Sequence, residues 1–345
     1  VGITVQQRRV SVAPMMAYTD RHFRYLLRLV SRTTLLYTEM ITAQAVAHGG
    51  RERLLAYDPA EHPVALQLGG SDPRLLAEAA DAGAALGYDE INLNVGCPSE
   101  RVRSGSFGAC LMADPGLVAD CLSAMREAVC GAVPVTVKCR IGVDGQDDYA
   151  FFERFVDVTA RSGVRVFIVH ARSALLSGLS PKENREIPPL RYEVPQRLKR
   201  ERPDLTVILN GGLRSAAQAS EWLPHFDGVM LGRQVCDDPW LLARLDAMLL
   251  PDAATPTRAE VVAGYADYVD RRLAEGHRPA SLLRHAQTLF TGFAGARAWR
   301  RLLSERIARG DADGDVLRGA LPVLHADAAA GDAPCHAAGP ARTGT

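Results

Sequence analysis

Cys97 lies in the segment Asn-Leu-Asn-Val-Gly-Cys-Pro-Ser (92–99), beside a proline and outside the apolar runs on either side. A thiol in a loop is open to reaction in a way that a packed one is not. A thiol with an ordinary pKa is a proton donor at neutral pH, so Cys97 can protonate a carbon whose neighbour has just received a hydride. Nucleophilic catalysis is the competing role, but no histidine base stands beside Cys97 in the sequence. Cys121 and Cys130 fall on a helical pattern and Cys139 on a strand pattern, which are packing positions.

Lys138 is the second residue that asks for a use. The chain has only three lysines, at 138, 182 and 199, so arginine is its default cation, yet Lys138 interrupts an apolar strand pattern. A flavin becomes negative near N1 and O2 on reduction and needs a cation beside it, a task to which Lys138 and His170 point. Lys138 could instead form a Schiff base, as in pyridoxal or aldolase chemistry, but the residues at 92–99 speak against both. Gln67 and Asn94, each with donor and acceptor on one amide, suit the edge of a pyrimidine-type ring. The segments Asn210-Gly211-Gly212 and Leu231-Gly232-Arg233 let backbone amides approach an anion, with Arg233 adding charge, as in a phosphate site.

These residues have to be brought together by the elements that carry them. Eight short apolar runs, at 10–14, 35–38, 64–68, 90–94, 133–139, 165–170, 205–210 and 228–231, alternate with amphipathic stretches such as 73–86 and 115–130. That is the pattern of an α/β TIM barrel, eight parallel strands covered by helices. An open doubly wound sheet is the alternative, but the first strand here leads into Ala-Pro-Met-Met (13–16), not a glycine-rich phosphate turn. Barrels work at the carboxyl ends of their strands. Standing there are Pro14, Met15 and Met16, then Glu39, Gln67, Asn92, Asn94 and Cys97, Lys138 and Arg140, His170 and Arg172, and finally the two glycine segments. Any one could be a satisfied core group; together they define one polar rim.

Composition sets the remaining bounds. At 345 residues, 47% hydrophobic and 23% charged, the chain accommodates a barrel plus an appendage. Residues 1–250 are expected to form the barrel, 256–312 a small all-helical domain, and 313–345 a disordered tail rich in Ala, Gly, Asp and Pro. No apolar run is long enough to cross a membrane and the first residues lack the order of a signal peptide, so a cytoplasmic protein is expected. Seven scattered cysteines without a CxxC pair indicate neither a disulfide framework nor a metal site. Formal net charge is zero, but residues 256–310 hold ten arginines against five acids. Within them Arg297, Arg300 and Arg301 share one helix face, a candidate surface for nucleic-acid phosphates.

The motifs resemble those of the tRNA-dihydrouridine synthases. Ala-Pro-Met-Met (13–16), Thr-Asp-Arg-His (19–22), Gln-Leu-Gly-Gly (67–70), Asn-Val-Gly-Cys-Pro-Ser (94–99), Val-Lys-Cys-Arg (137–140), His-Ala-Arg (170–172), Asn-Gly-Gly and Gly-Arg occur in that family's order, over roughly residues 10–310. The strings at 176–190 and 295–305 resemble signatures of its A subfamily. The resemblance implies an oxidoreductase that uses flavin mononucleotide (FMN) and NADPH, delivers hydride to C6 of a uridine in the tRNA D-loop, at positions 20 and 20a, and protonates C5 from Cys97. It implies that Pro14, Met15, Met16, Gln67, Lys138, His170, Asn210, Gly211, Gly212, Gly232 and Arg233 hold FMN. It implies that Asn94, Lys182, Asn184, Arg185, Arg297, Arg300 and Arg301 meet the tRNA. Neither membrane, metal nor obligatory protein partner is implied. Ala17 departs from the pattern, since many relatives carry an acidic residue there.

Two other readings are open at this level. A flavin-dependent reductase or dehydrogenase of free pyrimidines, like dihydroorotate dehydrogenase, shares the barrel and the loop acid but has no need of an arginine-rich helical domain. An RNA-binding scaffold has no need of Cys97 and Lys138 together.

Overall fold

The computed structural model describes residues 3–4, 6–100, 102, 105–252 and 254–321. All eight expected strands form: β1 (Val10–Val12), β2 (Leu35–Tyr37), β4 (Val64–Gly69), β5 (Glu90–Val95), β6 (Val135–Arg140), β7 (Val166–His170), β8 (Thr206–Asn210) and β9 (Gly228–Leu231). Every neighbouring pair is parallel; β1 pairs with both β2 and β9, and β2 pairs with β4, so the ring closes as a TIM barrel. A ninth strand, β3 (Ile41–Thr42), adds to the carboxyl end of β4 through Ile41 opposite Leu68. Two residues are too few to show a period, so it left no trace in the sequence pattern.

Alternation along each strand sorts side chains between two cores. Leu66, Ile91, Leu93, Val137, Phe167 and Val169 join the core under the helices, while Ala13, Leu35, Tyr37, Ala65, Ile168, Ile208 and Met230 form a separate buried cluster. On β5 the residues at even positions, Glu90, Asn92 and Asn94, are polar and buried; register sets Asn92 opposite both Gln67 and Thr136, and Asn94 opposite Lys138. The outer helices start where the sequence supplies caps. Asp72 accepts amides of Pro73–Ala85 and Asp114 of Pro115–Ala128, each with proline in the first turn. Gly83 lets the first of these lie close on the sheet, since a Cβ there would come within 2.6 Å of Leu66.

The helix Arg258–Ala274 opens with a capping box in which Thr257 and Glu260 satisfy each other's backbone amides. It packs on the barrel helix Arg21–Val30, where Tyr25 stacks on Tyr268 with ring centres 3.9 Å apart, and Arg272 pairs with Asp58 at 2.6 Å. Pro279–Leu283 and Ala296–Arg309 follow, and one apolar core runs from the barrel's outer layer into these helices. The expected tail from 313 is corrected in its first part. Asp313 caps a helix, Gly314–Ala320, that buries Val316, Leu317 and Ala320 and ties Arg318 to Asp267 and Asp270. Val316, Leu317 and Ala320 supply an apolar face at helical spacing despite the alanine- and glycine-rich composition around them. Residues 322–345 lie outside the described residues. Among the described residues, no helix is long and apolar enough to cross a membrane.

Candidate active site

The rim at the carboxyl ends of the strands is built around the turn that carries Cys97. Asn94 reaches forward from β5 and its Oδ1 accepts the backbone N–H of Gly96 and of Cys97, both at 3.0 Å. The Cys97 carbonyl in turn accepts the Ala109 N–H at 2.9 Å. Gly108 makes that close approach possible: its φ is +79°, and a Cβ there would lie 2.5 Å from the Cys97 oxygen. The thiol is half-buried, with Sγ 3.4 Å from Ser99 Oγ.

Beside this turn stands a group of cations. Lys138, on β6, has no hydrogen-bond or ion-pair partner among the described residues, and burial, with Arg140 nearby, lowers its pKa to about 8. Arg140 is buried and donates to three backbone carbonyls: Gly96 from Nε, and Ser173 and Asn184 from Nη1, all at 2.9 Å. Burial lowers its pKa to about 10, so it stays charged. Cys97 lies within electrostatic range of both. His170 is buried against Arg140 and Lys138, and burial first, then those charges, hold its pKa well below 6.5. It is therefore a neutral imidazole, and the positive charge here is carried by Lys138 and Arg140.

The glycine segments have the geometry that backbone contact with an anion requires. Gly211 and Gly212 have φ of +112° and +71°, and a Cβ on Gly211 would press on His170, 2.6 Å away. The Gly211 carbonyl accepts from Tyr192 Oη at 2.5 Å, and Asn210 Nδ2 donates to Met230 O at 2.8 Å. A Cβ on Gly232 would meet nothing within 4 Å, so open space lies beside it. Arg233 pairs with Glu186 at 2.9 Å on the exposed edge. Pro14 and Met15 are half-buried, whereas Met16 is 58% exposed. Tyr18, Leu175 and Ile187, also on loops that follow β1 and β7, are exposed apolar side chains at the same end. Ala17, the departure noted above, has φ +65°, and its N–H donates to Glu39 at 2.5 Å. A lysine with no partner among the described residues, glycine amides after the last two strands and open space beside them fit a phosphate-bearing cofactor with a ring that gains negative charge.

One expected tRNA contact is corrected. Asn184 is fully buried; its Oδ1 accepts the Leu175 N–H at 2.8 Å and its Nδ2 donates to Leu175 O at 2.8 Å. The side chain organises the loop after β7 and has nothing to offer a ligand outside it. Asn94 is also mostly committed, to Gln67 and to the Cys97 turn, with one amide hydrogen left. Lys182 and Arg185 are exposed on that loop. Arg297 and Arg300 line a concavity of about 400 Å³ with Gly292, Phe293, Gly295 and Ala296. Arg301 faces solvent and lies 3.9 Å from Glu305. This surface adjoins the rim, because Thr291 donates to Asp237 O after β9 and Arg284 pairs with Asp20 after β1.

Sequence reasoning placed Arg140 on the rim without giving it work, and passed over Glu90 and Thr136. The signal was present: an inward-facing Glu-x-Asn-x-Asn on β5 is polar where a barrel interior is usually aliphatic.

A closed parallel barrel with a loop thiol, a lysine that has no partner among the described residues, and glycine turns at its working end has the parts of a cofactor-dependent oxidoreductase site. Comparison with known proteins narrows the class. The chain matches the family described as dihydrouridine synthase (Dus) over residues 11–322, and it belongs to that family. It is 53% identical over 313 residues to a tRNA-dihydrouridine(20/20a) synthase of Synechocystis sp., covering 90% of this chain and 93% of that one. Proteins of the same description from Salmonella typhi and Escherichia coli are 53% and 52% identical over 318 residues, covering 92% of this chain and 95% and 91% of theirs. Among solved structures, morphinone reductase in complex with tetrahydroNAD is similar in fold, with a TM-score of 0.50 at 13% identity, over 73% of this chain and 90% of that one.

Proposed function

We propose that this chain reduces uridine to 5,6-dihydrouridine in the D-loop of tRNA, at positions 20 and 20a, with FMN as cofactor and NADPH as reductant. The observation that carries the reading is the joint presence, on one rim, of a half-buried thiol and a lysine with no partner among the described residues, in a chain of the dihydrouridine synthase family. FMN, when bound, supplies the hydride that goes to C6 of the base. Lys138 presents an ammonium where negative charge develops on the cofactor ring, which is where a preorganised cation acts most strongly. Gly211, Gly212 and Gly232 offer backbone amides to the phosphate, and Arg233 exchanges Glu186 for it. Pro14, Met15, Met16, Gln67, His170 and Asn210 complete the cofactor's surroundings.

Cys97 gives the Sγ proton to C5 of the base. The N–H and carbonyl of its peptide are both hydrogen-bonded, so the side chain is aimed from a fixed backbone. Lys138 and Arg140 stabilise the thiolate left behind, without either having to move. Lys182, Arg185, Arg297, Arg300 and Arg301 meet tRNA phosphates around the rim, and the exposed Met16, Tyr18, Leu175 and Ile187 give bases apolar surfaces to lie against. A tRNA-modifying enzyme of this kind works in the cytoplasm. The arginine-lined concavity beside the rim favours this reading over one of free pyrimidines, which need no such surface.

Cys97→Ala tests it. Bound FMN should still be reduced by NADPH at close to the native rate, while turnover on tRNA falls about 100-fold or more, the usual share of a general acid. Equal loss in both half-reactions, with FMN retained, would remove Cys97 from proton donation.

A further inference from the structure

The buried polar side chains below the rim form one continuous hydrogen-bonded chain, and every link in it points the same way. The Cys97 N–H donates to Asn94 Oδ1 at 3.0 Å, Asn94 Nδ2 to Gln67 Oε1 at 2.8 Å, and Gln67 Nε2 to Asn92 Oδ1 at 2.8 Å. Asn92 Nδ2 donates to Thr136 Oγ1 at 2.8 Å, and Thr136 Oγ1 to Glu90 Oε1 at 2.6 Å. Glu90 also accepts from Tyr37 at 2.5 Å and from Arg8, which closes the far end of the barrel. Glu90, Asn92, Thr136 and Gln67 are at most 1% exposed, so no solvent substitutes for a missing partner.

The two ends of this chain are chemically fixed. A peptide N–H only donates, and an ionised carboxylate only accepts. Each amide between them could be turned by 180° at little steric cost, but any such turn would set donor against donor or acceptor against acceptor in a buried site. The orientation of Gln67 and Asn94 is therefore determined from both ends. Asn94 Oδ1 already accepts two N–H groups, so that amide has only an N–H left for a ligand, whereas Gln67 keeps one N–H and one lone pair of Oε1. The rim above them therefore offers N–H from both amides to carbonyl or imine acceptors of a pyrimidine edge, with its polarity set from below.

We infer that Glu90, through Thr136 and Asn92, is a positioning residue for the reaction: it sets the hydrogen-bond polarity of Gln67 and Asn94 and holds the turn that aims Cys97. The inference rests on the functional reading above for the roles of Gln67 and Cys97. Its claim about the chain can fail or succeed without tRNA. Neither Glu90 nor Thr136 approaches the reacting atoms, so each acts only through the amides.

Thr136→Val keeps the side-chain shape and cuts the chain at one link; Thr136→Ser restores it. Tyr37→Phe is the matched control, since it removes a buried hydrogen bond to Glu90 and leaves the chain whole. Two quantities are measured on protein stripped of FMN, alongside its melting transition. One is the rate of Cys97 alkylation by iodoacetamide, followed on its own peptide by mass spectrometry; the other is the Kd for FMN. Thr136→Val should raise both by about tenfold, the size expected when a buried partner is lost. Thr136→Ser and Tyr37→Phe should stay within about twofold of native. The inference is overturned if folded Thr136→Val leaves either quantity within twofold of native, or if Tyr37→Phe moves them as far. Should Thr136→Val not fold, Thr136→Cys, whose sulfur is a weak donor and acceptor, replaces it with the same criteria.

Discussion

Replacing Lys138 by methionine should stabilise the protein when FMN is removed and damage it as an enzyme. In the empty site the ammonium is buried with no partner among the described residues, and its pKa falls from 10.5 to about 8. At 1.36 kcal/mol for each pKa unit, that difference is a cost to folding of about 3 kcal/mol at neutral pH. The sign follows from proton binding. Below pH 8 both folded and unfolded chains hold the proton and the full cost is present. Between about 8 and 10.5 the unfolded chain holds the proton that the folded chain has released, so stability rises with pH; above 10.5 the cost is gone. FMN-free Lys138→Met should therefore melt a few degrees above native at pH 7, with the gap closing across that window. Bound FMN should show the reverse. A cation ~4 Å from developing negative charge contributes about 4 kcal/mol at an effective dielectric near 20, so its loss should lower the two-electron potential by up to roughly 90 mV. Scanning calorimetry of the FMN-free protein from pH 7 to 10.5 and a spectroelectrochemical titration of the loaded one read the two effects. A variant no more stable than native, with a flat difference curve over that range, would mean that the ammonium is already paired and the site is not poised for an anion.

Arg297→Ala with Arg300→Ala should weaken tRNA binding and flatten its log–log salt dependence by about 1.5, at 0.7–0.9 per phosphate contact, with FMN content unchanged; filter binding at several salt concentrations checks this. Asn184→Ala should leave that slope alone and lower the melting temperature, because Leu175 loses both of its bonds to a buried amide, a loss of about 1–3 kcal/mol. Gly108→Ala should reduce tRNA turnover more than NADPH oxidation, since a Cβ at φ +79° and 2.5 Å from the Cys97 oxygen must push the turn aside; comparing the two half-reactions decides it.

Much of the barrel is legible in the sequence, because a strand buried on both faces leaves a continuous apolar run and a covering helix leaves a 3.6-residue period. The eight runs became the eight barrel strands, and Cys97, Lys138 and the glycine segments arrived at one rim because a parallel barrel points all its carboxyl ends the same way. The capping box of Thr257 and Glu260 is local too, since two side chains three residues apart satisfy amides of the turn they open.

What the tertiary structure alone decided is which partner each polar group finds. Asn184 carries the same amide as Asn94, and only the fold shows that it is consumed by Leu175 and not offered outward. Arg140 finds carbonyls from three separate segments, a convergence that no local spacing encodes. His170 is neutral because the fold buries it and then sets Arg140 and Lys138 against it. The polarity of Gln67 depends on Glu90 and on the Cys97 peptide, which come from β5 and its following loop, and on Thr136 from β6. Periodicity reports which face of an element is buried, since hydrophobic burial is non-directional and sums along the chain. Hydrogen bonds are directional and pairwise, so their outcome is fixed only when the barrel closes and the partners meet.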